Sequence, residues 1–175
     1  MSDIGNQVLT NYAKLYSTAS ANQGSGGRGW SPEVGIYSAF VTGIRAQEGV
    51  FKIKEDNSEH AADVITFEYT LFDDPGSPEA PRSFLGSPFV LPHNPEDVKQ
   101  DNQRQRINIA LGRLKGHMST ILGASELTDN ARADLLRCRD AVADGSVAVR
   151  VNIKPSGKTG EWKEEFLTER LSTSA

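Results

Sequence analysis

The chain has 175 residues, of which 37% are hydrophobic and 24% charged, with a net charge of −4. This length and balance specify one soluble domain with a real core and exclude a wholly disordered chain. A membrane span, an internal disulfide (Cys138 is the lone cysteine) and a secretory signal peptide are excluded too, so a cytoplasmic protein with no membrane partner is expected.

The first segment, residues 2–19, sets Ile4, Val8, Tyr12 and Tyr16 at i, i+4, i+8 and i+12. That spacing predicts a helix with one narrow apolar stripe. The Gly/Ser-rich run SANQGSGGRG follows as a flexible linker, so residues 1–29 read as an N-terminal helical arm. Its stripe suits either packing on its own domain or oligomerisation. Residues 30–171 form the main domain and 172–175 a short tail.

The domain opens with VGIYSAFVTGIRA, a strand rich in β-branched and aromatic residues. VFKIK and VITFEYTLFDD then read as a hairpin, in which Ile65, Phe67, Tyr69 and Leu71 alternate with polar residues. DDPGSPEAP is a turn by composition. RSFLGSPFVLP is a third strand, broken by Gly86 and Pro88. A helix is predicted from about Asp97 to Leu122, with Ile107, Leu111, Leu114, Met118 and Ile121 on one stripe. A second runs from Thr128 to about Asp144, capped by Thr128 or Asp129 and ended by Gly145. SVAVRVNIK and EWKEEFLTERL return to β structure as a closing hairpin. A helix also fits the last stretch, but a short turn after a strong strand favours a strand.

The turn of that hairpin, KPSGKTGEW, carries Gly157, Lys158 and Thr159 in the order of a phosphate-binding P-loop. Asn152 stands where the loop's first glycine belongs. After Thr159 there is room for neither a helix of the right kind nor the further parallel strands such an enzyme uses. The segment is a turn.

Five strands with helices between the third and fourth is the order of the OB-fold barrel, an α+β arrangement that binds oligonucleotides on its strand 2–3 face and adjoining loops. The segments VGIYSAFVTGIRAQEG, VITFEYTLFDD, RSFLGSPFVLP, INIALGRLKGHMSTILG and DGSVAVRVNIKPSGKTGEWKEEFLTERL, in this order across residues 33–171, resemble a family of small bacteriophage OB-fold single-stranded-DNA-binding proteins. The resemblance implies a non-enzymatic protein that coats single-stranded DNA during phage replication or recombination. It also implies a homo-oligomer with replication or recombination proteins as further partners. The ending LTERLSTSA departs from the acidic tail of many members, and the insertion after Arg45 is long. The rival expectation is a protein-interaction or virion-structural β-domain.

Sequence-tolerant binding of single strands needs cations along phosphates and aromatic faces for bases. A net acidic chain can still build a basic groove, because local clustering decides phosphate contact. Lys52 and Lys54 alternate with Phe51 and Ile53; Arg150 and Lys154 alternate with Val149, Val151 and Ile153. Arg82 opens the third strand, and Lys158 and Lys163 flank the last turn. Folded as a barrel, these residues are expected to line one groove. Trp162 is either an edge-of-core residue or a stacking platform, and Tyr37 and Tyr69 are candidates to show a ring in the groove. Trp30 reads as a lid on the core. His60, His93 and His117 have no metal-ligand spacing and Cys138 lies on an apolar helix face, so no cofactor, metal or catalytic constellation is expected.

Overall fold

β-Branched and aromatic residues dominate residues 35–52, and the strand β1 (Gly35–Lys52) runs through all of them. The computed structural model describes residues 30–72, 81–157 and 159–172. The chain divides into two compact units, Met1–Ser31 and Pro32–Ala175, and every element below belongs to the second. The expected N-terminal helix, its linker and most of the turn DDPGSPEAP lie outside the described residues.

β1 pairs antiparallel with β2 (Glu59–Leu71), from Ala39 opposite Leu71 to Lys52 opposite Glu59. VFKIK is therefore no separate strand: its first residues end β1, because pairing continues unbroken through Gln47, Glu48 and Gly49. The connection closes on itself. The Asp56 carboxylate accepts from the Ser58 amide at 2.9 Å, Asn57 takes a left-handed backbone (φ 57°), and the Ile53 amide donates to Ser58 O at 3.0 Å.

The expected third strand is two short ones, β3 (Arg82–Leu85) and β4 (Phe89–Pro92). Both lie on the same edge of β2, against Glu68–Leu71 and Ala62–Ile65 respectively. Gly86, Ser87 and Pro88 interrupt them. On the other side, β5 (Ala148–Ser156) pairs with β1, and β6 (Trp162–Leu171) pairs with β5. The sheet order is β3-β2-β1-β5-β6, with β4 also on β2. The last stretch is thus a strand, turned by Gly157 and Gly160, whose φ values of 85° and 68° favour glycine.

Helix α1 (Asp101–Leu122) starts four residues later than its sequence suggests, after a 3-10 turn at Pro95–Asp97 and an extended, buried Val98. Ile107, Leu114, Met118 and Ile121 are buried as expected, His117 joins them, and Leu111 is exposed. Helix α2 (Ala131–Val142) is capped by Asn130, whose Oδ1 accepts from the Ala133 amide at 3.1 Å. Neither Thr128 nor Asp129 does this. The Thr128 hydroxyl instead donates to the buried Asp134 carboxylate at 2.9 Å.

The result is a mainly antiparallel sheet with two helices, an α+β fold. The sheet is not closed: among the described residues no ladder joins β3 or β4 to β6. Side chains occupy that seam. The Ser87 hydroxyl donates to Lys163 O at 2.7 Å and Arg113 Nη1 donates to Glu165 O at 3.2 Å. Two residues further, the Thr120 hydroxyl lies 3.3 Å from Leu167 O. Three alternate carbonyls on the outer edge of β6 are thereby covered, two of them from α1, so this stretch does not present a bare pairing edge. Phe67, Tyr69, Phe89, Val41, Val149 and Val151 fill the interior beneath. Phe51, Ile53, Ala62, Val98 and Ile107 form a further apolar cluster where the β1–β2 hairpin meets the start of α1.

Candidate nucleic-acid interface

Residues directly opposite each other in an antiparallel pair share one face of the sheet. Val149, Val151 and Ile153 of β5 point inward and are buried, so Arg150, Asn152 and Lys154 point outward, as the sequence pattern implies. Their partners complete outward rows. Ser38, Arg150 and Glu169 form one; Ile36, Asn152 and Phe166 the next; then Lys154 with Glu164, and Ser156 with Trp162. The Trp162 side chain is 61% exposed and Ile36 62%. Lys154 Nζ stands 5.2 Å from the centre of the Phe166 ring, a cation–π distance. Across β1 the outward face continues to Phe40, whose ring tilts against Phe72 at 4.9 Å. The face thus interleaves Trp162, Phe166, Phe40 and Phe72 with Arg150 and Lys154.

The cations on this surface are not bare. Arg150 Nε is 3.5 Å from Glu169 Oε2, Lys154 lies opposite Glu164, and Arg45 contacts Glu68 nearby. Exposed pairs of this kind contribute about 0–1 kcal/mol. A phosphate can therefore replace the acid at little cost, but the acids lower the positive potential that would attract it.

The other expected residues distribute unevenly. Lys52 is exposed and lies 3.8 Å from Glu59, and Lys54 is exposed in the β1–β2 turn. From Ser38 to Lys52 the chain follows β1 for about 45 Å at roughly 3.3 Å per residue. Arg82 lies at the opposite end of β2 from Glu59, near the Arg150 end, but it stands opposite buried Leu71 and so shares the inward phase rather than the Arg150 face. The expected residues that are described therefore do not line one short groove. Lys163 is turned away, donating from Nζ to Pro32 O at 2.9 Å. Lys158 lies outside the described residues.

Tyr37 and Tyr69 are corrected to core residues. Tyr69 is fully buried, stacks on Phe84 at 4.9 Å and directs its hydroxyl towards Glu165. Tyr37 is 7% exposed and its hydroxyl donates to Glu33 O at 2.8 Å. Both lie in phase with the buried valines, and a buried ring offers no face to a base. Phe40 and Phe72 are what sequence reasoning missed. Phe40 alternates out of phase with Tyr37, Ala39 and Val41, and that parity was the available signal.

An open groove of about 470 Å³ continues this surface past β6 towards α1. Val90, Arg106, Ile109, Glu164 and Phe166 are among its walls, and Gly112 and Gly116, one helical turn apart, leave its helix side uncrowded. No group of three His, Cys, Asp or Glu placed to hold a metal occurs among the described residues, and none of their helices is long and apolar enough to cross a membrane. Cys138 is buried, and burial first, then the Asp134 charge, pushes its thiol up to about 12, leaving it protonated and unreactive at neutral pH.

The chain matches no family model, no curated protein and no solved structure.

Proposed function

We propose that this chain is a non-enzymatic single-stranded-DNA-binding protein built on an OB-type barrel. The strand order supports the barrel reading, with β3 and β4 acting as one interrupted strand and α1 following them. An OB barrel is itself partly open, and here the seam between β4 and β6 is bridged by side chains. On this reading the ligand lies across the outward face of β1, β5 and β6. Phosphates meet Arg150 and Lys154, while bases stack on Trp162 and the Phe40–Phe72 pair.

One observation carries the reading: a tryptophan ring left 61% exposed at the base of a hairpin, in phase with Phe166 and its cation Lys154. Stacking of this kind tolerates any base. The protein would therefore coat exposed strands with little sequence preference, in the replication or recombination of phage DNA that the family resemblance implies. Homo-oligomers along the strand fit that role.

A second reading has its own support. Ile36, Phe72 and Trp162 are exposed apolar groups on the same face, and Arg45 and Arg150 are each paired with an acid there. A protein-interaction module would present such a surface. Gel-shift with labelled oligo-dT at two salt concentrations separates the two. The DNA reading expects a shift that weakens at the higher salt; no shift at either concentration leaves the interaction module.

A further inference from the structure

Both ring nitrogens of His117 face acceptors. Nδ1 lies 3.0 Å from Arg113 O, one turn back along α1, and Nε2 lies 3.3 Å from Glu165 Oε1. A neutral imidazole carries a single N–H and satisfies only one of these. The other nitrogen then sets its lone pair against an acceptor, the Arg113 carbonyl or the Glu165 carboxylate, at a site where His117 is 1% and Glu165 2% exposed. One more proton removes the conflict. The other carboxylate oxygen does not need it, because Oε2 already accepts from the Ser87 amide at 2.7 Å and from Arg113 Nη1 at 3.3 Å.

We propose that His117 and Glu165 hold one shared proton inside the seam, and that its loss at alkaline pH releases α1 from β6. The proton sits where the fold has no backbone ladder, so these side chains and their neighbours do the joining. From α1, Arg113 supplies the second cation and lies 4.0 Å over the Phe89 ring of β4. From β2, Phe67 packs the imidazole at 5.0 Å, and the Tyr69 hydroxyl lies 3.5 Å from Glu165 Oε1. Burial and the Glu165 charge push the Tyr69 hydroxyl well above its usual range, so it keeps its own proton. Between β3 and β4, Gly86 permits the approach: a Cβ there would overlap the Glu165 carboxylate.

Burial by itself pushes the Glu165 carboxyl up, but the His117 hydrogen bond, the His117 and Arg113 charges and the Ser87 amide together hold it below the usual carboxylate range. The Glu165 contribution to stability is present above about pH 4.3 and lost as pH falls through its lowered folded value. With the carboxylate ionised, the shared proton bridges Oε1 and Nε2, and its removal leaves two acceptors facing each other across 3.3 Å, which loosens the seam and widens the groove beside α1.

The test is ¹⁵N and ¹³C NMR of the full chain from pH 5 to 10, with amide hydrogen exchange of α1 corrected for the intrinsic pH dependence. At pH 7 both His117 nitrogens should be protonated, or the Glu165 carboxyl should carry the proton. As that signal titrates, exchange across residues 113–121 should accelerate at least tenfold relative to β1. A neutral imidazole beside an ionised Glu165 at pH 7, or titration with no change in α1 exchange, overturns the proposal. Glu165→Gln gives the second arm, since its amide can donate to a neutral Nε2 and the alkaline loosening should vanish. If that variant loosens with pH as the parent does, the proposal fails; if it does not fold, the parent's titration decides.

Discussion

Along β6, Glu165 and Leu167 point into the seam while Trp162, Glu164 and Phe166 point outward, and a charge has different consequences on the two sides. The inward Glu165 carboxylate has lost its water and is held by Arg113, His117 and the Ser87 amide. Outward, on the adjoining surface, Arg150 and Glu169 remain 40% and 61% exposed and their pairing is weak. The inner side is fixed because removing any partner strands a buried charge. The outer side is exchangeable, which is what a surface needs if phosphate is to replace a carboxylate. Stability and binding should therefore respond to different residues one position apart in the sequence.

The largest effect expected is on the inner side. Glu165→Ala leaves Arg113 buried without its carboxylate, which should cost about 3–5 kcal/mol in chemical denaturation. Gly86→Ala should destabilise in the same direction, because its Cβ takes space that the carboxylate occupies. If either variant unfolds at the parent's denaturant midpoint, the seam is not held as described.

On the outer side, Trp162→Ala should leave that midpoint unchanged and weaken binding to oligo-dT by on the order of 1–3 kcal/mol, the usual value of one stacked base. Phe72→Ala should act in the same way, with some loss from the contact it makes with Phe40. Fluorescence titration and denaturation of the same samples would check both. A stability loss without an affinity loss would move these rings into the structural class and erase the contrast.

Smaller still is the response of the cations. Each phosphate contact on a single strand contributes about 0.7 to the slope of log affinity against log salt. The double variant Arg150→Ala/Lys154→Ala should flatten that slope by about 1.4, whereas Lys163→Ala should leave it unchanged because its ammonium is spent on Pro32 O. Equal slopes for the parent and the double variant would place the phosphates elsewhere.

The smallest expected response is none at all. Buried Cys138, with its thiol held protonated, should not react with a thiol reagent at neutral pH until denaturant unfolds the chain. Reaction in native buffer would show that α2 opens locally.

The sequence made the strands legible wherever one face is buried, because alternation in VITFEYTL and VAVRVNI translates directly into inward and outward sides. It made the solvent-facing placement of Lys52, Arg150 and Lys154 legible for the same reason. It did not reveal that β1 is one long strand, since Gln-Glu-Gly reads as a break while cross-strand pairing carries the ladder through. Nor did it reveal the seam. Ser87, the Arg113–His117 pair on α1 and Glu165 are far apart in the chain, and nothing local marks these three places as partners. The one trace is parity: Glu165 shares the inward phase of Leu167, where a carboxylate is out of place unless something receives it. Tyr37 and Tyr69 were misplaced for the opposite reason. Their amphipathic rings suit either a groove or a core, and only their phase with the buried valines decides.

Fluorescence-anisotropy titration of labelled oligo-dT with the full chain at several salt concentrations decides whether the outward face of β1, β5 and β6 binds single strands. Binding should be saturable, with log affinity falling linearly with log salt, a slope flattened in Arg150→Ala/Lys154→Ala, and lower affinity with unchanged slope in Trp162→Ala. A parent chain that is folded yet gives no anisotropy change at low salt would contradict it, and the apolar groups of the same face would then belong to a protein interface.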